Sequence, residues 1–402
     1  MSSRSFNSST NVSIRGVLDK GLRVAIYRDY LLPASETFVA AQAGALQNSD
    51  VFYVGTRLVD GIKLPHNKVV LLDHGGLSGR KDEIQYKLTG HAPAFAAEVA
   101  RRNPSLIHAH FGPGGVNALH LSRKLNIPLI TTFHGFDATM YDRALRKSSI
   151  WNRLYVHRRP ALAAHGTLFI AVSNFIKRKL THHGFPEDRI LVHYVGIDAE
   201  TFCPDPLVDR QPIVLFVGRL VKQKGCDFLI SAMEQVQSAY PDSRLVVIGD
   251  GPERMALERL AHHKLIGTKF LGVQPPPQIR HWLNRASVFS VPTTVTPEGS
   301  EEALGLVFAE ALAMMLPVVA FSTGGVPEIV KHGENGFLAV DQNWNQLAEY
   351  LLVLLNNPER AQQFARAGRL FVLANHNLRT QSAFLEEVYA SILQSTSFDL
   401  RL

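Results

Sequence analysis

The stretch Glu302-Ala-Leu-Gly-Leu-Val-Phe-Ala-Glu310 sets two carboxylates eight positions apart across Gly305. A carboxylate accepts hydrogen bonds from vicinal hydroxyls, and charge-assisted bonds of this kind are the strong ones, so two acids on one rigid segment could hold two sugar rings. If a helix begins near Gly305, Glu310 lies in its second turn and Glu302 on the preceding loop, and the acids need not share a face. The same pattern suits a solvated acidic loop followed by an ordinary helical glutamate, because charged residues are mostly surface residues.

Upstream, an apolar run ends in Gly218-Arg219-Leu220 and passes through Val221-Lys222-Gln223-Lys224-Gly225 toward a helix. Glycine allows close backbone approach, a helix N-terminus favours anions, and Arg219 with Lys224 would supply fixed positive charge to a diphosphate. A departing diphosphate gathers negative charge, which such cations stabilise most in the transition state. Read alone, Lys222 and Lys224 equally suit a solvated face, and Arg219 a structural ion pair. Gly249-Asp250-Gly251 after Ile248 is either a plain turn or a close approach to a nucleotide. Gly324-Gly325, ahead of a helix expected at Pro327, is either a turn or an anion-binding nest of amides. In the first half, Thr132-Phe133-His134-Gly135-Phe136-Asp137 closes a strand; His134 could bond a sugar hydroxyl or developing charge, or be a satisfied polar residue.

No Asp-X-Asp occurs in the chain, which removes the simplest way of holding a divalent ion against a diphosphate, so metal-independent chemistry without a cofactor is expected. His108 and His110 alternate on a strand, and His182-His183 and His262-His263 are adjacent pairs, none with convincing ligand spacing. Neither a Gly-X-Ser-X-Gly elbow nor a Gly-X4-Gly-Lys-Ser/Thr loop is present, so hydrolase and ATPase signatures are missing.

These residues need a frame. Short apolar runs alternate with helical patterns: Arg23-Val-Ala-Ile, Val51-Phe-Tyr-Val, Val69-Val-Leu-Leu, Leu106-Ile-His-Ala, Leu129-Ile-Thr-Thr and Leu168-Phe-Ile-Ala in the first half. Ile213-Val-Leu-Phe, Arg244-Leu-Val-Val-Ile, Lys269-Phe-Leu, Val288-Phe-Ser-Val and Val318-Val-Ala-Phe follow. Such runs read as buried parallel strands, giving two doubly wound α/β domains. The Pro-rich Cys203 to Pro212 stretch is the natural linker, with a boundary near residue 207. The organisation expected is a Ser/Asn-rich disordered tail over 1–20, domains over 21–207 and 208–375, and a helical end over 376–402. Ligands of open α/β sheets collect at the carboxyl ends of strands, so the chemistry belongs in a cleft between the domains.

With 402 residues and 46% hydrophobic content the chain can bury a large core. The absence of a membrane-length apolar run or a signal-type N-terminus, and the presence of only two cysteines, Cys203 and Cys226, point to a reducing cytosol. Residues 1–205 hold 25 Lys+Arg against 16 Asp+Glu, a balance of +9, while the remainder is −2. A basic half could meet a phosphorylated substrate, anionic lipid or nucleic acid, though no nucleic-acid motif accompanies it. The segment Arg143 to Arg159, which mixes cations with Trp151 and Tyr155, could rest on anionic lipid or be an ordinary amphipathic helix with its rings inward.

Taken together, Gly218-Arg219-Leu220, Lys224-Gly225, Gly249-Asp250-Gly251, the Glu302 to Glu310 pair, Pro317-Val-Val-Ala and Gly324-Gly325-Val-Pro-Glu328 resemble the C-terminal half of a family 4 retaining glycosyltransferase. The resemblance implies the GT-B fold, two Rossmann-like domains facing across a cleft, with the last helices crossing back to the first domain. It implies that Arg219 and Lys224 bind the donor diphosphate, Glu302 the donor-sugar hydroxyls and Glu310 the ribose. Gly324 and Gly325 would lie by the phosphates and sugar, Gly218, Gly249 and Gly305 would complete the donor site, and His134 would sit beside the transferred sugar. Catalytic roles thus fall on His134, Arg219, Lys224 and Glu302.

Where many members carry a glycine pair after the first strand, this chain reads Arg28-Asp-Tyr-Leu-Leu-Pro-Ala-Ser35-Glu36-Thr37-Phe38. That resembles a Ser-Glu-Thr-Phe subset associated with bacterial exopolysaccharide and capsule assembly, similar to enzymes extending colanic acid on a lipid diphosphate carrier. Ser35 and Glu36 are the candidate substitutes on the acceptor side. The expected partners are a nucleoside-diphosphate sugar and an oligosaccharide acceptor on a lipid, met at the inner membrane face. A soluble-acceptor transferase or a sugar-nucleotide epimerase of the same fold is the alternative.

Overall fold

The structure, a computed structural model, describes residues 21–73 and 75–394; the expected N-terminal tail lies outside them. The first half contributes β1 (Leu22–Tyr27), β2 (Tyr30–Leu31), β3 (Ser49–Gly55), β4 (Arg57–Leu58), β5 (Val69–Leu71), β6 (Leu106–His110), β7 (Leu129–Phe133), β8 (Leu168–Ala171) and β9 (Ile190–Val192). Seven of these form one parallel sheet among the described residues, in the order β5-β3-β1-β6-β7-β8-β9, while β2 pairs with β4 apart from it. The second half contributes β10 (Gln211–Val217), β11 (Arg244–Ile248), β12 (Lys269–Phe270), β13 (Ala286–Phe289), β14 (Val318–Phe321) and β15 (Gly336–Ala339). Its sheet runs β12-β11-β10-β13-β14-β15, all parallel.

Both orders reverse beside the first strand of the sheet, between β1 and β6 and between β10 and β13. Loops leaving such a pair diverge to opposite faces and open a crevice at the strands' carboxyl ends. Arg28 follows β1, Phe111 follows β6 and Gly218 follows β10, so three of the loops at the crevices are defined by topology. The strands are apolar nearly throughout because both faces are covered. On β1, Val24 and Ile26 join one cluster and Ala25 and Tyr27 the other.

The chain crosses between domains twice, and the crossings lie against each other. Ile197 donates its N–H to the His376 carbonyl at 2.8 Å, and Leu378 donates back to the Ile197 carbonyl at 2.9 Å. Gly196 makes this possible, since a Cβ there would stand 2.5 Å from the Leu378 Cα. The final helix, Leu378–Gln394, then packs on the first domain, burying Leu385, Val388, Tyr389 and Ile392 beside Val39 and Ala43 of helix Thr37–Gly44. Burial of each such side chain contributes about 2 kcal/mol.

A carboxylate fixes the register of that helix. Glu386, 2% exposed, accepts from the Asn48 N–H at 2.7 Å, the Asn48 Nδ2 at 3.0 Å and the Ser49 Oγ at 2.8 Å. Glu386→Ala removes three hydrogen bonds from donors that are only partly buried, and a loss of roughly 1 kcal/mol is expected. Urea unfolding followed by circular dichroism measures it; an unchanged midpoint would show that the clasp contributes nothing.

Candidate active site

The loops at the carboxyl end of the second sheet are pressed together backbone to backbone, and glycine is what permits this. A Cβ on Gly249, whose φ is +132°, would lie 1.9 Å from the Gly218 carbonyl oxygen. The turn after β11 therefore seats directly on the turn after β10, where Gly218 N–H bonds the Ile248 carbonyl at 3.0 Å. Gly218 itself is different: nothing lies within 3.6 Å of a Cβ built there, and the lysine stem of Lys224 is 3.9 Å away. A Cβ would therefore fit there in ordinary contact. Arg219 is exposed and forms no side-chain bond among the described residues.

Lys224 closes a single turn of 3-10 helix, Lys222–Lys224, and its Nζ contacts Glu302 Oε2 at 2.5 Å. Glu302 is held from behind by Gly324 and Gly325. Its carbonyl accepts from Gly325 N–H at 2.8 Å, and a Cβ on Gly324, with φ +54°, would stand 2.1 Å from that same carbonyl oxygen. Thus Gly324-Gly325 is first a seat for the Glu302 backbone. Gly305, also left-handed at φ +84°, starts helix Leu306–Ala313 and separates the two acids as the sequence spacing predicts. Glu310 lies in the second turn, half-buried, with no side-chain partner among the described residues, and burial pushes its carboxyl up to about 7.

Across the cleft, the loop after β7 presents His134. Its ring lies against Phe38 (centroids 4.8 Å) and Phe111 (4.7 Å), tilted by 50° and 49°. Its Nε2 shares a hydrogen bond with His110 Nδ1 at 2.9 Å. His110 stacks in turn on His108 at 4.5 Å, and His108 bonds the Tyr389 hydroxyl and Thr132 Oγ1, each at 2.6 Å. Burial, then neighbouring imidazoles, with Arg28 acting on His110 and His134, hold all three histidines well below their ordinary pKa. They are therefore neutral, and the His110–His134 bond requires one ring to donate and the other to accept. The turn is pinned by Asp137, which accepts from the Gly112 and Gly135 N–H groups at 2.8 Å each; burial raises its carboxyl to about 6 against those donors.

Of the two acceptor-side candidates, Ser35 is exposed on a short turn, whereas Glu36 is buried and both its oxygens accept from Arg28, at 2.9 and 2.7 Å. Glu36 is thus engaged in holding Arg28 over the Phe111 ring, 4.3 Å from its centroid, rather than free to meet a ligand. Arg28 and Phe111 are site residues that sequence reasoning missed. The signal for Arg28 was its place after the first strand; Phe111, at φ +64°, carries none, because its left-handed backbone is invisible in sequence.

The two walls are in contact. Ser173 Oγ donates to the Ala303 carbonyl at 2.6 Å, Lys179 pairs with Glu301 at 2.6 Å, and a Cβ built on Gly135 would lie 3.6 Å from the Ala303 Cβ. Glu328, last residue of the Gly-Gly-Val-Pro-Glu run, accepts from Asn174 N–H (2.8 Å), Phe175 N–H (2.7 Å) and Tyr194 OH (3.0 Å). It caps a helix of the opposite domain, a role the sequence does not announce. The structure therefore brings Lys224 and Glu302 together and sets the His134-Gly135 turn against Ala303, while Arg219 is exposed on the loop after β10 and Glu310 lies on the helix that follows Gly305. Among the described residues no group of three or more His, Cys, Asp or Glu side chains could hold a metal ion.

Two Rossmann-like domains with loops converging in this way define the GT-B architecture. Residues 36–201 match the model of Glycosyltransferase Family 4, and residues 200–371 that of Glycosyl transferases group 1. A glycosyltransferase of Methanocaldococcus jannaschii, itself uncharacterized, is 32% identical over 273 residues, 66% of this chain and 70% of that protein. The amylovoran biosynthesis glycosyltransferase AmsK of Erwinia amylovora is 30% identical over 275 residues; the match spans 65% of this chain but 64% of AmsK's own length. The crystal structure of Anabaena Alr3699/HepE in complex with UDP superposes with a TM-score of 0.72 at 20% identity, covering 92% of this chain and 100% of that one. The chain belongs to the family 4 glycosyltransferases.

The raised carboxyl of Glu310 has a measurable effect on stability. An acid protonated in the fold but ionised near 4.5 when unfolded carries no penalty below about pH 4.5 and its full penalty above about 7. Glu310→Gln should therefore stabilise the free protein by roughly 2 kcal/mol near pH 8 and hardly at all near pH 4.5. Denaturation at both values tests this, and an equal effect at both would contradict it.

Proposed function

We propose that the chain moves a hexose from a nucleoside-diphosphate sugar to a sugar hydroxyl with retention of anomeric configuration. The observation that carries this reading is the Lys224–Glu302 contact, with Arg219 unpaired on the loop after β10 and His134 in the facing domain. The ammonium and the carboxylate neutralise each other. A donor replaces both partners: its diphosphate takes Lys224 and Arg219, and its sugar hydroxyls take Glu302. Glu310, half-buried without a partner, would accept from the ribose hydroxyls, and His134 would border the transferred sugar from between Phe38 and Phe111. The diphosphate would lie over Gly218, which carries no side chain.

Cations fixed on the diphosphate lower the barrier because charge grows there as the sugar–phosphate bond lengthens. The sugar passes through an oxocarbenium-like state. The acceptor oxygen attacks the face that the diphosphate leaves and passes its proton to a departing phosphate oxygen. No metal takes part in this reading, and turnover is expected to survive EDTA unchanged. The acceptor would be a growing oligosaccharide on a lipid carrier, reached at the cytoplasmic face of the membrane. Support comes from the Ser35-Glu36-Thr37-Phe38 run and from likeness to AmsK, whose name refers to a polysaccharide. Among the described residues no helix is long and apolar enough to cross a membrane.

Arg219→Ala and Lys224→Ala should each lower turnover by about 10² to 10³, as removal of one preorganised charge-stabilising donor does elsewhere. Single-turnover assays with a radiolabelled donor read this out, and full activity in both variants would overturn the assignment. A panel of nucleoside diphosphates, scored by thermal stabilisation, identifies the base, since a ligand bound only by the native state raises its stability.

A further inference from the structure

Helix Gly76–Thr89 buries charge. Beside the core residue Tyr86, its inward side carries Glu83, 3% exposed, which pairs with Lys87, 2% exposed, at 2.7 Å, and also accepts from Arg57 and from Thr56 Oγ1. Its outward side carries aliphatic residues: Leu77 is 80% exposed, and Ile84 and Leu88 are each 47% exposed. At about 100° per residue these three fall within an arc of roughly 40°, flanked by the exposed Arg80 and Lys81, whereas Asp82 lies about 140° away from Leu77. The usual surface helix does the opposite, placing apolar residues inward and charges in water.

The stripe is continued by its neighbours. Lys87 lies over the Trp151 ring at 5.1 Å, and Arg158 donates to the Lys87 and Leu88 carbonyls, so helix Ile150–His165 abuts this helix. Its first residue, Ile150, is 68% exposed. The adjoining Arg143, Arg146, Lys147 and Arg153 are exposed and form no ion pair among the described residues. The sequence segment 143–159 thus divides: Tyr155 is buried and Trp151 partly so, while four cations remain in water.

We infer that helix Gly76–Thr89 seats this protein on an anionic lipid leaflet, with Leu77, Ile84 and Leu88 entering the acyl boundary and Arg80 and Lys81 meeting lipid phosphates. A narrow aliphatic ridge between cations matches a headgroup interface, which is apolar beneath and negative above. The purpose of the contact rests on the reading of the acceptor as lipid-borne; the contact itself does not.

Vesicle sedimentation of the full chain, without nucleotide, tests it. Binding to phosphatidylcholine vesicles containing phosphatidylglycerol, and not to phosphatidylcholine alone, is expected. Arg80→Gln with Lys81→Gln should lower the partition coefficient on the order of thirtyfold. Leu77→Gln with Ile84→Gln and Leu88→Gln should lower it on the order of a hundredfold. Both variants should keep the wild-type melting temperature and its rise with nucleoside diphosphate. If either is misfolded, hydrogen exchange of the wild type decides, with slower exchange over 76–89 expected on anionic vesicles. Equal binding to both vesicle types, undiminished binding of folded variants, or protection of 76–89 by single-stranded oligonucleotide instead of lipid would overturn the inference. Loss of nucleotide stabilisation with vesicle binding intact would count against the transferase reading alone.

Discussion

The cleft depends on the seating of one backbone segment, Glu298 to Leu304, between the two domains. From behind, Gly324 and Gly325 let its carbonyls approach to distances no Cβ would tolerate. From the front, Ser173, Gly135 and Tyr141 meet it, the last by a 3.0 Å bond to the Glu298 carbonyl. Because the backbone at Glu302 is over-determined, its carboxylate can face Lys224 without a flexible loop adjusting between them. Orientation of a charged group in advance is what electrostatic catalysis requires, since reorganisation during reaction would consume the gain.

Around that segment the charges are sorted by burial. The histidine ladder from Tyr389 to His134 is neutral, and the cations of the first-domain wall are paired, Arg28 with Glu36 and Lys179 with Glu301. In the second domain Lys224 and Arg219 lie on the loop that follows Gly218. Glu310 pays the penalty of a partly buried acid lacking a partner, the condition in which a hydroxyl-rich ligand has most to offer. Glu328 joins the walls by capping the helix Asn174–His182, so its acid acts where amide dipoles favour it. The last helix links these features, since Tyr389 lies beneath the histidine ladder while Glu386 clasps the first domain.

Much of this was legible along the chain. Eleven apolar runs marked eleven strands and their alternation with helices, because a strand buried on both faces must be apolar throughout. Among the described residues β2, β4, β9 and β15 were not marked, although β15 is as long as β8, β13 and β14. The spacing of Glu302, Gly305 and Glu310 revealed a helix start, since glycine there has a steric reason. The glycines of Gly249 and Gly324-Gly325 were visible, but their use was not: they meet backbone carbonyls of other loops, and contact between distant segments leaves no trace in local order. The candidate acceptor-side residue Glu36 is paired with Arg28, a contact between segments that local order does not show.

By itself the sequence determined the fold class, the crevice positions at strand ends and the residue types able to meet a diphosphate and sugar hydroxyls. Those follow from periodicity and side-chain chemistry, which are local. Tertiary structure alone decided that Lys224 faces Glu302, that Glu328 caps a helix of the other domain, and that the helix over 76–89 turns its aliphatic residues to water. Each depends on which segments pack together, and burial, ion pairing and carboxyl pKa are properties of that packing.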